Sequence, residues 1–507
     1  MTFANLKTAA ALGFILGAVA LGFIPLLWLG IAHGFSAFDA YLPRVVAFTL
    51  KQAFLSTALS LLIALPVALA FARRQFWGRD VLLRIFSLPL ALPAIVAILG
   101  IVGIYGNNGI LGGYFSIYGL SGIVFAHVFF NMPMAVRLIL TRLEAIPAEN
   151  FRLAAQLKFT SREIFRFIEW PQLAPALTGI ASLIFLLCTA SFAVVLILGG
   201  GPQATTLEVA IYQSLRLDFD PARASILALA QLITCATLVL LAGRYATQAQ
   251  VFPKTLAKIQ RYDGTSWGSL LVDFAAIVFG AVIVIPPIIS VIYTGIFKIH
   301  LDAALGRATL TSLVIGLASA CLSLILGWIL ADAAARHASP KFRSALTLTS
   351  LASLIMPPAV LATGWFVSLA QVADVGRLAI FLVIVLNGLM ALPFIWSPLF
   401  PAIEESFQRH DRLCSSLGVR GLARLKLIDL PVLRRPLALA FLMAVIVSLG
   451  DLSAITLFGS DSFVTLPALI FKQMGHYRMA DAAGTAVVLT AFCFALITLA
   501  QRWSLRP

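Results

Sequence analysis

The chain has 507 residues, of which 61% are hydrophobic and only 11% are charged, and its formal net charge is +15. A soluble domain of this length does not need so much apolar sequence, so the composition excludes a soluble globular protein and indicates an integral membrane protein. The basic residues are dispersed over several loops without an aromatic-interleaved basic face, which argues against a nucleic-acid partner.

Apolar stretches close to the ~20 residues that cross a bilayer as a helix recur along the whole chain. The fold class predicted from them is an all-α polytopic membrane protein of about 12 transmembrane helices. The first stretch is too long for a removable signal peptide and lacks its small-residue cleavage flank, so we expect it to be retained. The twelve predicted spans are 9–32, 50–72, 84–105, 119–141, 175–198, 222–243, 269–296, 309–334, 345–370, 378–400, 435–458 and 482–501.

The basic residues predict the orientation. With the N-terminus inside and twelve spans, 27 of the 36 Lys and Arg residues fall on the cytoplasmic side and 9 fall outside. A threefold excess is typical of the positive-inside rule. We therefore expect both termini to be cytoplasmic.

Several segments occur twice along the chain. LPAIVAILG at 92–100 parallels MPPAVLATG at 356–364, and TTLEVAIYQSL at 205–215 parallels VTLPALIFKQM at 464–474. The copies follow one another in the same order, and each half contains an even number of spans. This pattern predicts a pseudo-twofold axis along the membrane normal, with a pathway where the halves meet.

The repeat predicts the domain organisation. A first permease half of six helices covers 1–245, a cytoplasmic linker covers 246–268, and a second half of six helices covers 269–507. Each half contains one copy of a polar loop, at 150–171 and at 410–431. The predicted topology places both loops in the cytoplasm.

The two loops share their spacing. The first reads RLAAQLKFTSREIFRFIEWP from Arg152, and the second reads RLCSSLGVRGLARLKLIDLP from Arg412. In the first copy Pro147 suits the opening of a helix, the chain must reverse near Lys158, and the segment from Thr160 has the capping-box form of a second helix. An interfacial amphipathic loop is the alternative, and the second copy with equal spacing argues against it.

The sequence contains no motif for catalysis or metal binding. No GxxxxGK[ST] phosphate loop, CxxC pair or metal-ligand spacing occurs, and acidic and histidine residues are too sparse for a Ser/His/Asp set. We therefore predict no catalytic residue and no metal site. Energy for transport has to come from a partner, an ion gradient or a substrate gradient.

Four polar or aromatic residues inside predicted spans are candidates for a substrate path: Asp451, Trp365, Asn131 and Asn387. Asp451 is the most notable, because an ionised acid in lipid is costly and should face the bundle interior. A helix–helix hydrogen bond or a salt bridge is the alternative role for Asp451. Ordinary packing explains the other three adequately.

The duplicated loops resemble the EAA loops of bacterial ABC importer permeases, whose pattern is Glu-Ala-Ala, three residues, Gly and a Leu-Pro end. Arg152 and Arg412 stand at the Glu position, and Lys158 replaces the Gly of the first copy. The fused double arrangement resembles the ferric-iron and thiamine branch of these permeases. The segment Leu196–Leu229 resembles the thiamine permeases in particular.

The resemblance implies a type I importer fold and a set of loop residues that couple to ATPase subunits. These residues are Arg152, Ala154, Ala155, Lys158, Phe165 and Pro171 in the first copy, and Arg412, Cys414, Ser415, Gly418, Leu430 and Pro431 in the second. It also implies two ATPase partners, a periplasmic substrate-binding protein and a bacterial inner membrane. This chain would bind no cofactor, and the partner subunit would use ATP and Mg²⁺.

The resemblance implies a small-molecule substrate, thiamine and its phosphates, carried by alternating access. Ferric iron or another small solute is the first alternative. A proton- or sodium-coupled secondary transporter shares the duplicated spans, but offers no reason for the paired loops. A polytopic membrane enzyme would need a cluster of reactive groups that the sequence does not contain.

Overall fold

The computed structural model describes residues 3–32, 41–114, 116–245, 261, 266–336, 339–352, 356–370, 374–419, 421–459 and 463–505. Within these ranges the secondary structure is helical, without a β-strand, and this confirms the predicted all-α class. Helices suit such an apolar chain because they satisfy their own backbone hydrogen bonds in lipid.

Eleven helices lie in the first half of the sequence. They are α1 (Phe3–Ala32), α2 (Tyr41–Arg73), α3 (Arg79–Ala91), α4 (Ala94–Tyr105), α5 (Leu120–Glu144), α6 (Ala148–Gln156), α7 (Ser161–Ile164), α8 (Trp170–Thr189), α9 (Ala193–Leu198), α10 (Leu207–Arg216) and α11 (Pro221–Tyr245), as far as the described residues show.

Ten helices lie in the described part of the second half. They are α12 (Trp267–Gly295), α13 (Ala303–Arg336), α14 (Pro340–Ser350), α15 (Pro358–Leu369), α16 (Val375–Ser416), α17 (Gly421–Arg424), α18 (Leu430–Leu449), α19 (Ser453–Phe458), α20 (Leu466–Gly475) and α21 (Met479–Leu505).

Ten segments in the described ranges are long and apolar enough to cross a membrane as single helices. They confirm a multi-pass membrane protein. The bent pair formed by α3 and α4 would bring the number to 11. The exact number of twelve spans is not confirmed, because the predicted spans 84–105 and 345–370 do not form single helices long enough to cross a membrane.

The predicted span 84–105 is two helices that meet at an angle of 107°. Leu92 between them is extended, with φ −85° and ψ 132°. Pro93 explains the break, because it has no N–H to donate and its ring moves the preceding residue out of the helical region. Hydropathy does not reveal the break, since the residues on both sides of it are apolar.

The predicted span 345–370 is interrupted in the same way. The helix α14 ends at Ser350, and α15 begins only at Pro358, after Pro357 with φ −59° and ψ 156°. The sequence repeat aligns this second proline break with the first. Both halves therefore place a short apolar helix behind a proline.

The described residues group into two compact units. One unit contains residues 1–42, 207–233 and 295–507, and the other contains 43–206 and 234–294. The units therefore cross the predicted halves 1–245 and 269–507, which stay a prediction about the repeat. Most of the predicted linker 246–268 lies outside the described residues, including Lys254 and Lys258, whereas Arg261 is described.

Each unit contains a close crossing between a short helix and the first helix of the other sequence half. In the first unit a Cβ atom added to Gly364 of α15 would lie 1.7 Å from the carbonyl oxygen of Gly22 in α1. In the second unit a Cβ atom on Gly100 of α4 would lie 2.2 Å from the carbonyl oxygen of Pro287 in α12. Glycine is required at both crossings because a side chain would occupy the position of a backbone atom.

Candidate functional site

The first polar loop forms the helical hairpin that its sequence predicts. The helix α6 starts after Pro147, and Lys158 lies in the left-handed region with φ 55°. The backbone N–H of Thr160 donates to Glu163 Oε2 at 2.7 Å, and the Glu163 N–H donates back to Thr160 Oγ1 at 3.4 Å. This reciprocal pair is the predicted capping box, and it starts α7.

The second polar loop reaches the same turn from a longer helix. The helix α16 runs for 42 residues without a break before Gly418, which has φ 66°. Phe407 stands where the repeat has Pro147 in the first copy, so the backbone N–H needed for helix continuation is present. The two hairpins therefore have the same kind of turn, but the helices that lead into the turn differ in length.

A wide helical turn follows the short second helix in both copies. Phe165–Glu169 and Leu425–Asp429 are π-helical, and the N–H groups of Trp170 and Leu430 donate to carbonyls five residues earlier. A proline follows each turn, and a missing proline N–H favours a local change in hydrogen-bond pattern. No sequence pattern predicts these turns, although π-helical turns are frequent at functional sites.

Each hairpin exposes a pair of leucines spaced four residues apart. Leu153 and Leu157 in the first copy and Leu413 and Leu417 in the second are between 53% and 68% exposed. Residues four apart lie on one face of a helical segment, so each pair forms a small apolar surface at the tip. We call these pairs the first and second leucine surfaces.

The opposite side of each hairpin is buried against its own unit. Ala154 and Cys414 occupy equivalent positions and are each 1% exposed. The acids Glu169 and Asp429, just before the final Trp-Pro or Leu-Pro, are also buried. The side chains that hold the hairpin are therefore matched in the two copies, and so are those that face outward.

The buried acid of the first hairpin is neutralised from the segment between the sequence halves. Glu169 accepts a hydrogen bond from the Arg261 guanidinium, which also lies 4.8 Å from the ring centre of Phe151. The pair is almost fully shielded from solvent, with side-chain exposures of 0% and 5%. A buried carboxylate needs such a partner, because desolvation of an unpaired charge is costly.

The second hairpin supplies its own guanidinium. Arg424 lies 2.7 Å from Asp411 and 3.6 Å from Asp429, and its guanidinium lies 5.4 Å from the ring centre of Phe407. Burial opposes the positive charge of Arg424, but the hydrogen bond to Asp411 and the charge of Asp429 outweigh it and raise the pKa of Arg424. Ile164 occupies the position of Arg424 in the first copy, which explains why that copy uses Arg261.

Most residues that the resemblance assigns to coupling are on the outer side of the hairpins. The part-buried ring of Phe165 lies 5.7 Å from the ring of Trp170, and Ala154 and Cys414 face inward. The coupling roles of all the residues that the resemblance names stay predictions. The exposed members are Arg152, Ala155, Lys158, Pro171, Arg412, Ser415, Gly418, Leu430 and Pro431.

Two of the four substrate-path candidates line one small polar cavity. Asp451 and Asn387 border it together with Ser448, and the Asn387 amide donates to Ser448 Oγ at 3.0 Å. The cavity has room for about one water molecule. As described, it is too small for a solute larger than that.

Asp451 lies at a helix break and not inside a continuous eleventh span. Its carboxylate accepts hydrogen bonds from Ser453 Oγ at 2.7 Å and from the N–H groups of Ser453 and Ala454 at 3.2 and 3.1 Å. These contacts cap the start of α19 and offset part of the cost of burying this acid.

The other two candidates make packing contacts elsewhere. The Trp365 indole N–H donates to the Ala18 carbonyl at 2.8 Å, and the Asn131 amide donates to Cys188 Sγ at 3.3 Å. Neither residue borders the cavity of Asp451. A role in the substrate path stays a prediction for both.

Several polar residues of α10 and α20 are not among the predicted site residues. Glu208 is completely buried, and neither carboxylate oxygen accepts a hydrogen bond of normal geometry, although the Ala359 N–H lies near it. Tyr212 and Arg216 follow on the same face of α10. Glu208 and Tyr212 lie in the repeated segment TTLEVAIYQSL, which could have pointed to them but served only to align the two halves.

The described residues contain no group of three or more His, Cys, Asp or Glu side chains that could hold a metal ion. An all-helical multi-pass fold with a helical hairpin at two matched sequence positions defines the class of the protein, a polytopic membrane permease.

Comparisons with known proteins identify the family, although no family model matches the chain. The chain is 45% identical over 489 residues to the thiamine transport system permease protein of Brucella abortus, covering 92% of this chain and 90% of the relative. It is 42% identical over 480 residues to the protein of the same name in Escherichia coli, covering 92% and 89%. The Haemophilus influenzae protein is 36% identical over 484 residues, covering 90% and 87%. The chain therefore belongs to the family of thiamine transport system permeases.

Proposed function

We propose that this chain is the membrane-spanning permease subunit of an ATP-driven, binding-protein-dependent importer for thiamine and its phosphates. The family supports the solute, since the relatives are named for thiamine transport. The observation that carries the ATP-driven part is the pair of matched leucine surfaces, each on a hairpin that is fixed from behind by a largely buried ion pair, Arg261–Glu169 in the first and Arg424–Asp429 in the second.

Two separate ATPase subunits dock on the two leucine surfaces in this proposal. Apolar side chains at the centre with basic residues around them suit a partner cleft that has an apolar floor and an acidic rim. ATP and Mg²⁺ are used in those subunits, and this chain contributes no catalytic residue, metal or cofactor. Closure of the ATPase subunits moves the hairpins and drives alternating access of the permease halves.

The proposed setting is the bacterial inner membrane, with both termini and both hairpins in the cytoplasm. The excess of basic residues on that side supports the orientation. A periplasmic binding protein delivers the solute at the opposite face. Selectivity among thiamine, its phosphates and other solutes then depends on both the binding protein and the permease.

Co-expression with the cognate ATPase and binding protein tests the proposal. We expect the ATPase to co-purify with the permease, and proteoliposomes with the three components to accumulate thiamine only with ATP. Uptake that follows a proton or sodium gradient without the ATPase would overturn the proposal. Accumulation of ferric iron but not thiamine would support the importer class but would show that the solute is ferric iron.

A double variant connects the ATPase to the leucine surfaces. Leu157→Asp combined with Leu417→Asp should abolish co-purification of the ATPase, because it places a charge at the centre of each apolar contact. Leu301→Asp is the matched control, since this leucine is also exposed but lies outside both hairpins. Unchanged co-purification in the double variant would contradict the docking assignment.

A further inference from the structure

A cavity of about 320 Å³ is bordered by α10, α20 and the segment around α19, all in one compact unit. Its lining contains three aromatic rings, from Tyr212, Phe463 and Phe471, and two cations, Arg216 and Lys472. Small-molecule pockets typically measure ~300–1,000 Å³, so the cavity is large enough for a ligand of a few tens of atoms at most. No residue of the predicted substrate path borders it.

The aromatic part of the cavity is duplicated. Tyr212 and Phe471 are the eighth residues of the aligned segments 205–215 and 464–474, so each sequence half contributes one ring of this matched pair. Planar rings bind a flat aromatic ligand by offset or edge contacts. The partial burial of both rings leaves ring surface open to the cavity.

The two cations of the lining are Arg216 and Lys472, and a backbone carbonyl positions the first of them. Arg216 Nη2 donates to the Gly459 carbonyl at 2.9 Å, and Gly459 itself borders the cavity. Among the described residues Arg216 forms no ion pair, and the Gly459 carbonyl accepts from one of its five N–H donors. Lys472 follows Phe471 directly and adds a second positive charge to the lining.

We propose that this cavity is a binding subsite for a flat heteroaromatic molecule that carries a phosphate group. The inference rests on the proposed function and deepens it, because it assigns the phosphorylated forms of the solute to Arg216 and Lys472 and the ring system to Tyr212 and Phe471. An anionic lipid headgroup carries the same phosphate chemistry but lacks the aromatic ring.

The test compares two solutes in one membrane. The complete transporter, with its ATPase and binding protein, is reconstituted in phosphatidylcholine vesicles, and uptake of thiamine and of thiamine pyrophosphate is measured separately. Lys472→Gln should lower pyrophosphate uptake relative to thiamine uptake by about tenfold, since it removes one charge-assisted contact to phosphate. Lys298→Gln, an exposed lysine outside the cavity lining, should leave the ratio unchanged.

The aromatic contacts have a separate readout. Phe471→Leu should lower uptake of both solutes and leave their ratio unchanged, because it removes a ring contact that both share. Tyr212→Phe keeps the ring and should retain uptake of both. A change of the ratio with Phe471→Leu, or loss of uptake with Tyr212→Phe, would contradict the assignment of the ring.

Equal effects of Lys472→Gln on both solutes, or no effect, would overturn the phosphate assignment. So would a tenfold effect that appears only after phosphatidylglycerol is added, which would assign the cations to a lipid headgroup. If the wild-type transporter moves neither solute, the proposed function fails. Direct binding of thiamine pyrophosphate to the wild type and Lys472→Gln in the same vesicles then decides the subsite independently.

Discussion

The left-handed turn residue is the clearest difference between the two hairpins at the scale of single residues. Lys158 and Gly418 both have positive φ angles, 55° and 66°. A residue with a Cβ atom costs about 1–2 kcal/mol in this region, whereas glycine adopts it freely. The first hairpin therefore carries backbone strain that the second avoids.

We expect Gly418→Val to reduce transport more than Lys158→Val. Valine introduces the full cost at Gly418, but Lys158 already bears most of it. Uptake normalised to the amount of permease in the membrane measures the difference. Equal losses, or a larger loss for Lys158→Val, would show that the backbone of the turn does not set coupling.

The buried ion pairs behind the hairpins give a second residue-scale prediction. Arg261→Met leaves Glu169 buried without its partner, a change that typically costs ~3–5 kcal/mol. We expect a lower thermal unfolding midpoint for the purified permease and weaker co-purification of the ATPase. Adding Glu169→Leu should restore most of the midpoint, because it removes the unpaired charge.

A lysine at position 261 tests whether the positive charge alone is enough or whether the planar guanidinium also matters. Arg261→Lys keeps the charge but loses the planar contact with Phe151. An unfolding midpoint for Arg261→Met equal to that of the wild type would contradict the importance of the pair. Arg424→Met, which acts within the second hairpin, provides the matched comparison.

At the scale of elements, the helix crossings depend on glycine. Gly364→Ala would place a methyl group 1.7 Å from the Gly22 carbonyl oxygen, so α1 and α15 have to separate. Forced overpacking costs ~1–3 kcal/mol, and backbone at the contact puts this case at the upper end. We expect a lower unfolding midpoint and lower uptake.

Gly179→Ala is the control for that crossing. Gly179 is inside α8, and a Cβ atom added there meets nothing within 4 Å. We expect the midpoint to stay the same or rise slightly, because alanine favours the helix. Equal loss in both variants would show that helix composition, not the close crossing, determines stability.

Hydropathy predicted most elements because a membrane span is a property of composition over ~20 residues. It failed at Pro93 and Pro357, where apolar sequence continues across a backbone break. The capping box at Thr160 was predictable because its residues interact over three positions. Arg261 was not, since its partner Glu169 lies 92 residues away in sequence.

The candidate cavity shows a similar limit. Tyr212, Arg216 and Lys472 have no local motif, and each reads as an ordinary residue of a short connecting helix. Only the fold brings α10 and α20 to one lining. By contrast, Asp451 was found by its rarity in apolar sequence, and its hydrogen bonds then showed a capping role.

At the scale of the whole molecule, duplication does not imply equivalence. The two leucine surfaces match in position and exposure, but one hairpin has a lysine in the turn and depends on Arg261 for its buried acid. The other has glycine and an internal guanidinium. The two proposed docking sites therefore share an outer surface and differ in support.

Single-site variants should separate binding from transport. Leu157→Asp and Leu417→Asp each disrupt one leucine surface, so we expect each purified complex to retain one ATPase subunit in place of two. Native mass spectrometry or light scattering measures this stoichiometry.

Uptake should fall to background in both variants, because alternating access requires the paired ATPase subunits to close together, and one retained subunit cannot do so. Retention of two subunits in either single variant would contradict independent docking. Loss of both would show instead that the second subunit binds only with the first.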